Sequence, residues 1–233
     1  MNHLNYIIKQ LLITRHFLTK LGNNFHELTL IEKIIYLLFI RPFWPAKRRF
    51  FYEGHFGLPG QMHTAERQAL YETILKYRPR FCLEIGTYTG GGSTFFLASA
   101  FKELGQGKLL TLEANPYYHK KASSYYGKHL PDLASHLDFI LGDDIRAFDS
   151  ALKEYGTIDC LLLDGAEDAR QTLDQYEYFS SFFTAGTILM LHDWNTEKTR
   201  LLKPLLLADP KWRTDAELKP PKSVGLIIME RLP

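Results

Sequence analysis

Cysteine is scarce in this chain: Cys82 and Cys160 are the only two among 233 residues. Each sits in an apolar run that reads as a strand, four residues ahead of a strand-end position, Gly86 or Asp164. So sparse a count excludes a disulfide framework, and buried free thiols are expected. If the two strands are neighbours, the thiols stand at one level of the sheet. Long hydrophobic runs are missing as well. The longest near the N-terminus covers residues 34–40, far short of the ~20 residues a spanning helix needs. Lys9 and Arg15 interrupt the apolar residues ahead of it, so no signal peptide is read there. A cytoplasmic protein is expected, soluble or peripheral to a membrane. The glycine-rich stretch at 86–92 carries neither Gly-x-Gly-x-x-Gly nor Gly-Lys-Ser/Thr, which disfavours a nicotinamide-dependent dehydrogenase. There is no internal repeat and no low-complexity tract. No helix-turn-helix or RNA-motif pattern is found, so nucleic acid is a disfavoured partner.

What the chain does have is apolar content for a core, 45% hydrophobic and 14% aromatic, and a length suited to one α/β domain with an extension. Net charge is only +2, yet residues 1–50 hold eight Lys and Arg against Glu27 and Glu32. Residues 1–60 therefore read as a basic helical extension and 61–233 as the main domain. Within the extension, helices are expected over 4–21 and about 29–40, the second stopped by Arg41-Pro42. Residues 43–52 interleave basic and aromatic side chains, which suits a lipid headgroup layer, nucleic-acid bases or simple packing on the domain. Peripheral membrane contact through residues 1–52 and a homodimer are both left open. The spacing of Thr64-Ala65-Glu66-Arg67 gives a capping box only when shifted.

From Thr64 a helix over 64–76 opens a regular alternation. Strands are expected at about 80–86, 108–113, 137–141, 158–163, 187–191, 213–218 and 224–230. Helices are expected at 92–104, from Pro116, up to about 183, and at 196–208. This order implies a mostly parallel sheet covered on both faces, with ligands bound at the C-terminal edge of the strands. Glu84, Glu113, Asp143, Asp164, His192 and Asp193 all fall at expected strand ends. Glu84, beside the glycine turn, suits a ligand with a cationic part. Glu113 suits a ribose diol, or a helix N-terminus. Asp164 closes the apolar run of residues 160–163, a costly place for a carboxylate unless it is paired or metal-bound. His55, Phe56, Met62 and His63 precede the domain as lid residues, and Tyr176 and Trp194 are placed along an acceptor pocket.

The stretch Glu84-Ile85-Gly86-Thr87-Tyr88-Thr89-Gly90 resembles the first motif of class I S-adenosylmethionine-dependent methyltransferases, particularly the catechol and caffeoyl-CoA O-methyltransferase branch. Leu163-Asp164-Gly165-Ala166 and Gly186-Thr187-Ile188-Leu189-Met190-Leu191-His192-Asp193 resemble the broader sugar and natural-product O-methyltransferases. The resemblance spans roughly residues 60 to 231. It implies a Rossmann-like, doubly wound seven-stranded sheet of order 3-2-1-4-5-7-6, the last strand antiparallel, with helices on both faces. It implies S-adenosylmethionine held by Glu84, Gly86, Thr87, Tyr88, Gly90, Ser93, Glu113, Asp143 and Asp164. Glu113 would take the ribose, Asp143 the adenine amino group, and Tyr88, Ser93 or Thr94 the carboxylate end. Asp164 would bind Mg²⁺ or another divalent cation with His192 and Asp193. Asn195 is the alternate ligand, displaced by Trp194 from the adjacent Asp-Asn of the catechol branch. Glu167 stands where that branch places a lysine, and His192 is the general-base candidate. The catalytic set is thus Asp164, His192, Asp193 and Glu167, acting on a hydroxylated small molecule. The rival reading is a non-catalytic protein of the same fold that docks a membrane or partner through its basic arm.

Overall fold

The computed structural model describes residues 16–21, 23–221 and 223–233. Residues 16–21 are helical, and the rest of the helix expected over 4–21 lies outside the described residues. Seven strands, β1 (Phe81–Ile85), β2 (Lys108–Glu113), β3 (Leu137–Leu141), β4 (Ile158–Leu163), β5 (Phe183–His192), β6 (Trp212–Leu218) and β7 (Leu226–Arg231), form one sheet in the order β3-β2-β1-β4-β5-β7-β6. Only β7 runs antiparallel to its neighbours. Order and direction agree with those expected.

Successive strand residues face opposite sides of the sheet. Phe81, Leu83, Ile85, Leu161 and Leu163 feed one core, while Cys82, Cys160 and Leu162 feed the other. Burial on both faces explains why these strands read as continuous apolar runs. Cys82 pairs with Cys160 across β1 and β4, and both thiols are buried and free. The chain moves from β1 outward to β3, then returns to β4 on the other side of β1. Order thus reverses between β1 and β4, where open α/β sheets bind ligands.

Several boundaries differ from expectation for local reasons. The helix before β5 ends at Ser180, and β5 starts at Phe183 because the strand passes through Gly186 with a register shift against β4. The helix expected over 196–208 divides into a short turn, Glu197–Thr199, and the helix Leu202–Ala208. Pro204 needs no backbone N–H donor in a first helical turn, so it fits only near the start of that second piece. In the arm, helix Leu30–Ile35 widens into a π-helical turn, Tyr36–Ile40, before Pro42. Residues 43–52 contain most of a further helix, Ala46–Glu53.

The arm has its own small core of Leu21, Phe25, Leu28, Tyr36 and Tyr52. Phe51 instead enters the main core. Arg67, fully buried on helix Thr64–Tyr77, ties the arm down. Its Nη1 donates to the carbonyls of Phe51 and Tyr52 at 3.2 and 3.1 Å, and its Nη2 to that of Gly60 at 3.3 Å. Asn24 Nδ2 donates to the same Gly60 oxygen at 2.6 Å. Among the described residues no helix is long and apolar enough to cross a membrane.

Candidate active site

β1 leaves the sheet at Gly86, whose φ of +104° is one that side-chain-bearing residues rarely adopt. A Cβ there would stand 2.9 Å from Gly165 Cα, so the loops after β1 and β4 pass at contact distance. The turn then meets segment 58–60. A Cβ on Gly91 would fall 2.0 Å from the Leu58 carbonyl oxygen, and Thr89 Oγ1 donates to the Pro59 carbonyl at 2.6 Å. Above this edge lies a cleft of about 450 Å³. It gathers Gly86, Thr87, Tyr88, Ser93, Glu113, Asp143, Asp164, Glu167, His192 and Asp193, all singled out from the sequence.

Glu113 ends β2 with its carboxylate fixed by two backbone donors. Oε2 accepts from Tyr88 N at 2.6 Å and Oε1 from Asn115 N at 2.9 Å. The first of these bonds holds Tyr88 at a φ of +51°, an uncommon conformation for a tyrosine. Asp143 is exposed and free of capping duty, because Asp144 caps the next turn by accepting from Arg146 N. Ser93 opens helix Ser93–Leu104 on the cleft wall, whereas Thr94 is turned inward. The exposed helix N-terminus there favours a carboxylate.

Two residues expected to touch the ligand do not line the cleft. Gly90 packs against Tyr126, whose hydroxyl donates to the Gly90 carbonyl at 2.7 Å. Glu84 is fully buried one residue inside β1, where the strand alternation turns it into the core. Its Oε2 accepts from Thr94 Oγ1 and Thr111 Oγ1, and Oε1 is buried without a hydrogen-bond partner. Burial pushes its pKa up to about 7, against the downward pull of the Ser93, Thr111 and Thr94 hydroxyls. A raised carboxyl pKa means that Glu84 contributes most to stability below about 4.5, and that this contribution fades as pH climbs through 7. In the ligand-free protein Glu84→Gln is therefore expected to gain about 3 kcal/mol at pH ~8 and nothing near pH ~4.5. A melting-temperature difference that stays constant between those pH values would refute the buried charge.

At the other end of the cleft, ionised groups crowd around His192. Its Nδ1 lies 2.8 Å from Asp164 Oδ1 and 3.8 Å from Asp193 Oδ1, and its Nε2 lies 3.5 Å from Glu66 Oε2. Burial lowers the imidazole pKa, but the Asp164 and Glu66 carboxylates outweigh it and push the value up to about 10. With those partners alone the ring keeps its proton near neutrality, which argues against the general-base role considered for it. Glu66 is raised by burial and lowered by bonds from His192 and Ser223, and it ends below the ordinary carboxylate value. Lys198 Nζ binds Asp193 Oδ2 at 2.6 Å, and Asp193 sits at a φ of +58°. Ligand atoms of Asp164, His192 and Asp193 all lie within 4.8 Å of one another. Lys198 thus takes one oxygen of Asp193 and leaves the other facing the group, while Glu66 lies behind the far nitrogen of His192. Carboxylates placed behind a ligating imidazole are a common support for metal sites. Two carboxylates and an imidazole therefore fit a divalent cation.

Asn195 stands apart from this group, its Oδ1 accepting from Lys203 Nζ at 3.2 Å. Trp194 is fully buried and donates to Glu217, while Tyr176 accepts from Trp212, so both are core residues and not acceptor-pocket walls. Of the expected lid, only Met62 lines the cleft. His63 caps helix Thr64–Tyr77 and forms the capping box with Glu66, one residue earlier than the Thr64 spacing suggested. Gly60, Gln61, Glu66, Gln171, Gln175 and Lys198 were not anticipated. Glu66 had a signal in its distance from His63, and Glu167, Gln171 and Gln175 follow helical spacing toward the cleft. Gln175 Oε1 is buried without a hydrogen-bond partner.

Residues 83–194 match the family described as Methyltransferase domain. None of the curated proteins matches the sequence. Among solved structures, a candidate O-methyltransferase from Klebsiella pneumoniae superposes with a TM-score of 0.61 at 19% identity, covering 86% of this chain and 94% of that one. The O-methyltransferase TomG from Streptomyces achromogenes, in complex with S-adenosylmethionine, gives 0.60 at 16% identity, with 74% and 82% covered. An O-methyltransferase from Bacillus cereus, in complex with S-adenosylhomocysteine, gives 0.59 at 18% identity, with 89% and 99% covered.

Proposed function

We propose that this chain is a class I S-adenosylmethionine-dependent methyltransferase, a reading its fold and the match over residues 83–194 support, and that it methylates a hydroxyl oxygen of a small molecule. The observation that carries the reading is one cleft with two chemically distinct ends. Glu113, Tyr88, Ser93 and Asp143 line one end, and the Asp164–His192–Asp193 group the other. The first end fits the methyl donor. Its glycine turn admits no Cβ at Gly86, so the backbone of the loop can approach a ligand closely. Glu113 accepts from the ribose diol, Asp143 meets the adenine amino group, and the helix N-terminus at Ser93 faces the donor's carboxylate.

S-adenosylmethionine supplies an electrophilic methyl group on a sulfonium. The protein's part is to hold the acceptor oxygen close to that methyl and collinear with the carbon–sulfur bond. Asp164, His192 and Asp193 would hold a divalent cation, which lowers the pKa of an acceptor hydroxyl. Lys198 and Glu66 fix the orientation of Asp193 and His192. Glu167 stands at the cleft wall as a carboxylate able to take the released proton. The acceptor is hydroxylated because the charged end of the cleft suits an oxygen nucleophile that loses a proton. A non-catalytic scaffold is not favoured, since gathering Glu66, Asp164, His192, Asp193 and Lys198 at one end of the cleft opposes stability unless they act on a ligand.

The test is a screen of hydroxylated acceptors, sugars and phenols included, for release of S-adenosylhomocysteine. Turnover is expected to cease in EDTA and to return with Mg²⁺. Full activity in EDTA would remove the cation from the mechanism and leave methyl transfer standing. No product from any acceptor, despite tight donor binding, would overturn the reading on hydroxyls.

A further inference from the structure

The arm presents a surface that methyl transfer does not use. Leu30, Ile31, Ile34 and Leu38 recur at helical spacing and are 75%, 71%, 49% and 63% exposed. Phe39 and Phe43 extend the patch at 68% and 84%. Tyr36 points the opposite way and is fully buried against Phe25, Trp44 and Tyr52. The element is therefore anchored on one side and bare on the other. Contiguous large apolar side chains of this kind are rare on a surface that meets only water.

The charge along the patch is mostly positive, and its one carboxylate, Glu32, is paired with Lys20. Residues 33–52 contain Lys33, Arg41, Lys47, Arg48 and Arg49 and no carboxylate. Arg41 is paired with Glu53 and Lys47 with Glu72. Lys33 Nζ lies 5.3 Å from the Phe25 ring, and Arg48 stacks at 3.8 Å over Trp44. Neither forms an ion pair among the described residues. We infer that this arm docks the protein on an anionic lipid bilayer, its apolar face entering the headgroup boundary and its cations meeting lipid phosphates. Aromatic and basic residues beside an aliphatic helix face are what interfacial helices use. Nucleic acid would leave the aliphatic side chains uncovered, since bases stack on rings and not on leucine or isoleucine. A second copy pairing face to face would oppose cation to cation, and the one carboxylate along the patch, Glu32, is already paired with Lys20.

The experiment is flotation of the full chain with two vesicle types, pure phosphatidylcholine and phosphatidylcholine with about one-third phosphatidylglycerol. Binding is expected to be at least about tenfold stronger on the anionic vesicles and to weaken with salt. The Leu38→Asp/Phe39→Asp variant should lose more than about tenfold. Lys33→Glu/Arg48→Glu should lose about fivefold or more for each cation reversed. Calorimetric binding of S-adenosylhomocysteine checks that each variant is folded, and Phe43→Asp replaces any variant that fails this check. Equal binding to both vesicle types, no binding to either, or aspartate variants that bind as well as the parent would overturn the inference. So would a dimer in solution that Leu38→Asp/Phe39→Asp converts to monomer while vesicles capture neither form; the face would then be a contact between copies.

Discussion

Replacing Glu113 by alanine is expected to weaken S-adenosylhomocysteine binding by roughly a hundredfold. Two losses combine. The ribose hydroxyls lose a charged acceptor, and a hydrogen bond to a charged group contributes about 1.5–3 kcal/mol. The backbone donors of Tyr88 and Asn115 also lose their partner, freeing the turn that shapes the donor's end of the cleft. Titration calorimetry gives the dissociation constant directly, and a thermal melt shows whether the variant is folded. Glu113→Gln should lose less, because it keeps one backbone acceptor while its amide nitrogen faces the other N–H. An alanine variant that binds within about threefold of the parent would place the ribose elsewhere and remove the donor from this cleft.

Asp164→Asn should do the opposite, sparing donor affinity while lowering turnover by about a hundredfold or more. Asp164 Oδ1 faces the protonated ring of His192 at 2.8 Å. An amide offers one neutral acceptor there, and if flipped it sets an N–H against an N–H. The group around His192 then loses a negative charge that supports the imidazolium in the metal-free protein and that a cation, binding with loss of the ring proton, would need in its place. Mn²⁺ titration followed by paramagnetic resonance gives a readout independent of turnover, and the bound signal of the parent should be missing in the variant. Turnover within about threefold of the parent, with Mn²⁺ still bound, would leave Asp164 a mere wall of the pocket.

The end of the cleft proposed for the donor was largely legible in the sequence. Buried parallel strands show as apolar runs, and the first polar residue past each run emerges at the ligand edge. Glu113, Asp143, Asp164 and His192 follow that rule. Glu84 breaks it by one position. It lies within β1, where alternation sends its side chain into a core face, and adjacency to the glycine turn gave no hint of this. Tyr176 and Trp194 are core residues because an aromatic near a strand end looks the same whether it faces a ligand or another helix. The meeting of Glu66 and Lys198 with His192 was out of reach for another reason, although the spacing of Glu66 from His63 marked a helix cap. They lie 126 residues before and six after His192, and only the folded sheet and its covering helices bring all three together. The split of residues 183–187 between helix and strand depended on a register shift against β4, which is a property of the neighbour and not of the segment itself.

The guanidinium of Arg67 has a consequence for anyone who shortens this protein. Residues before 54 look dispensable by composition, a cationic appendage on a complete enzyme. Yet Asn24 in that appendage donates to the carbonyls of Gly60 and Met62, and Arg67 joins the carbonyls of Phe51 and Tyr52 to that of Gly60. Cutting it away would strand a positive charge deep inside the remaining domain and loosen the strip beside the methyl donor. Trimmed versions should therefore precipitate or bind the donor poorly, even though every group placed on the reacting atoms is still present.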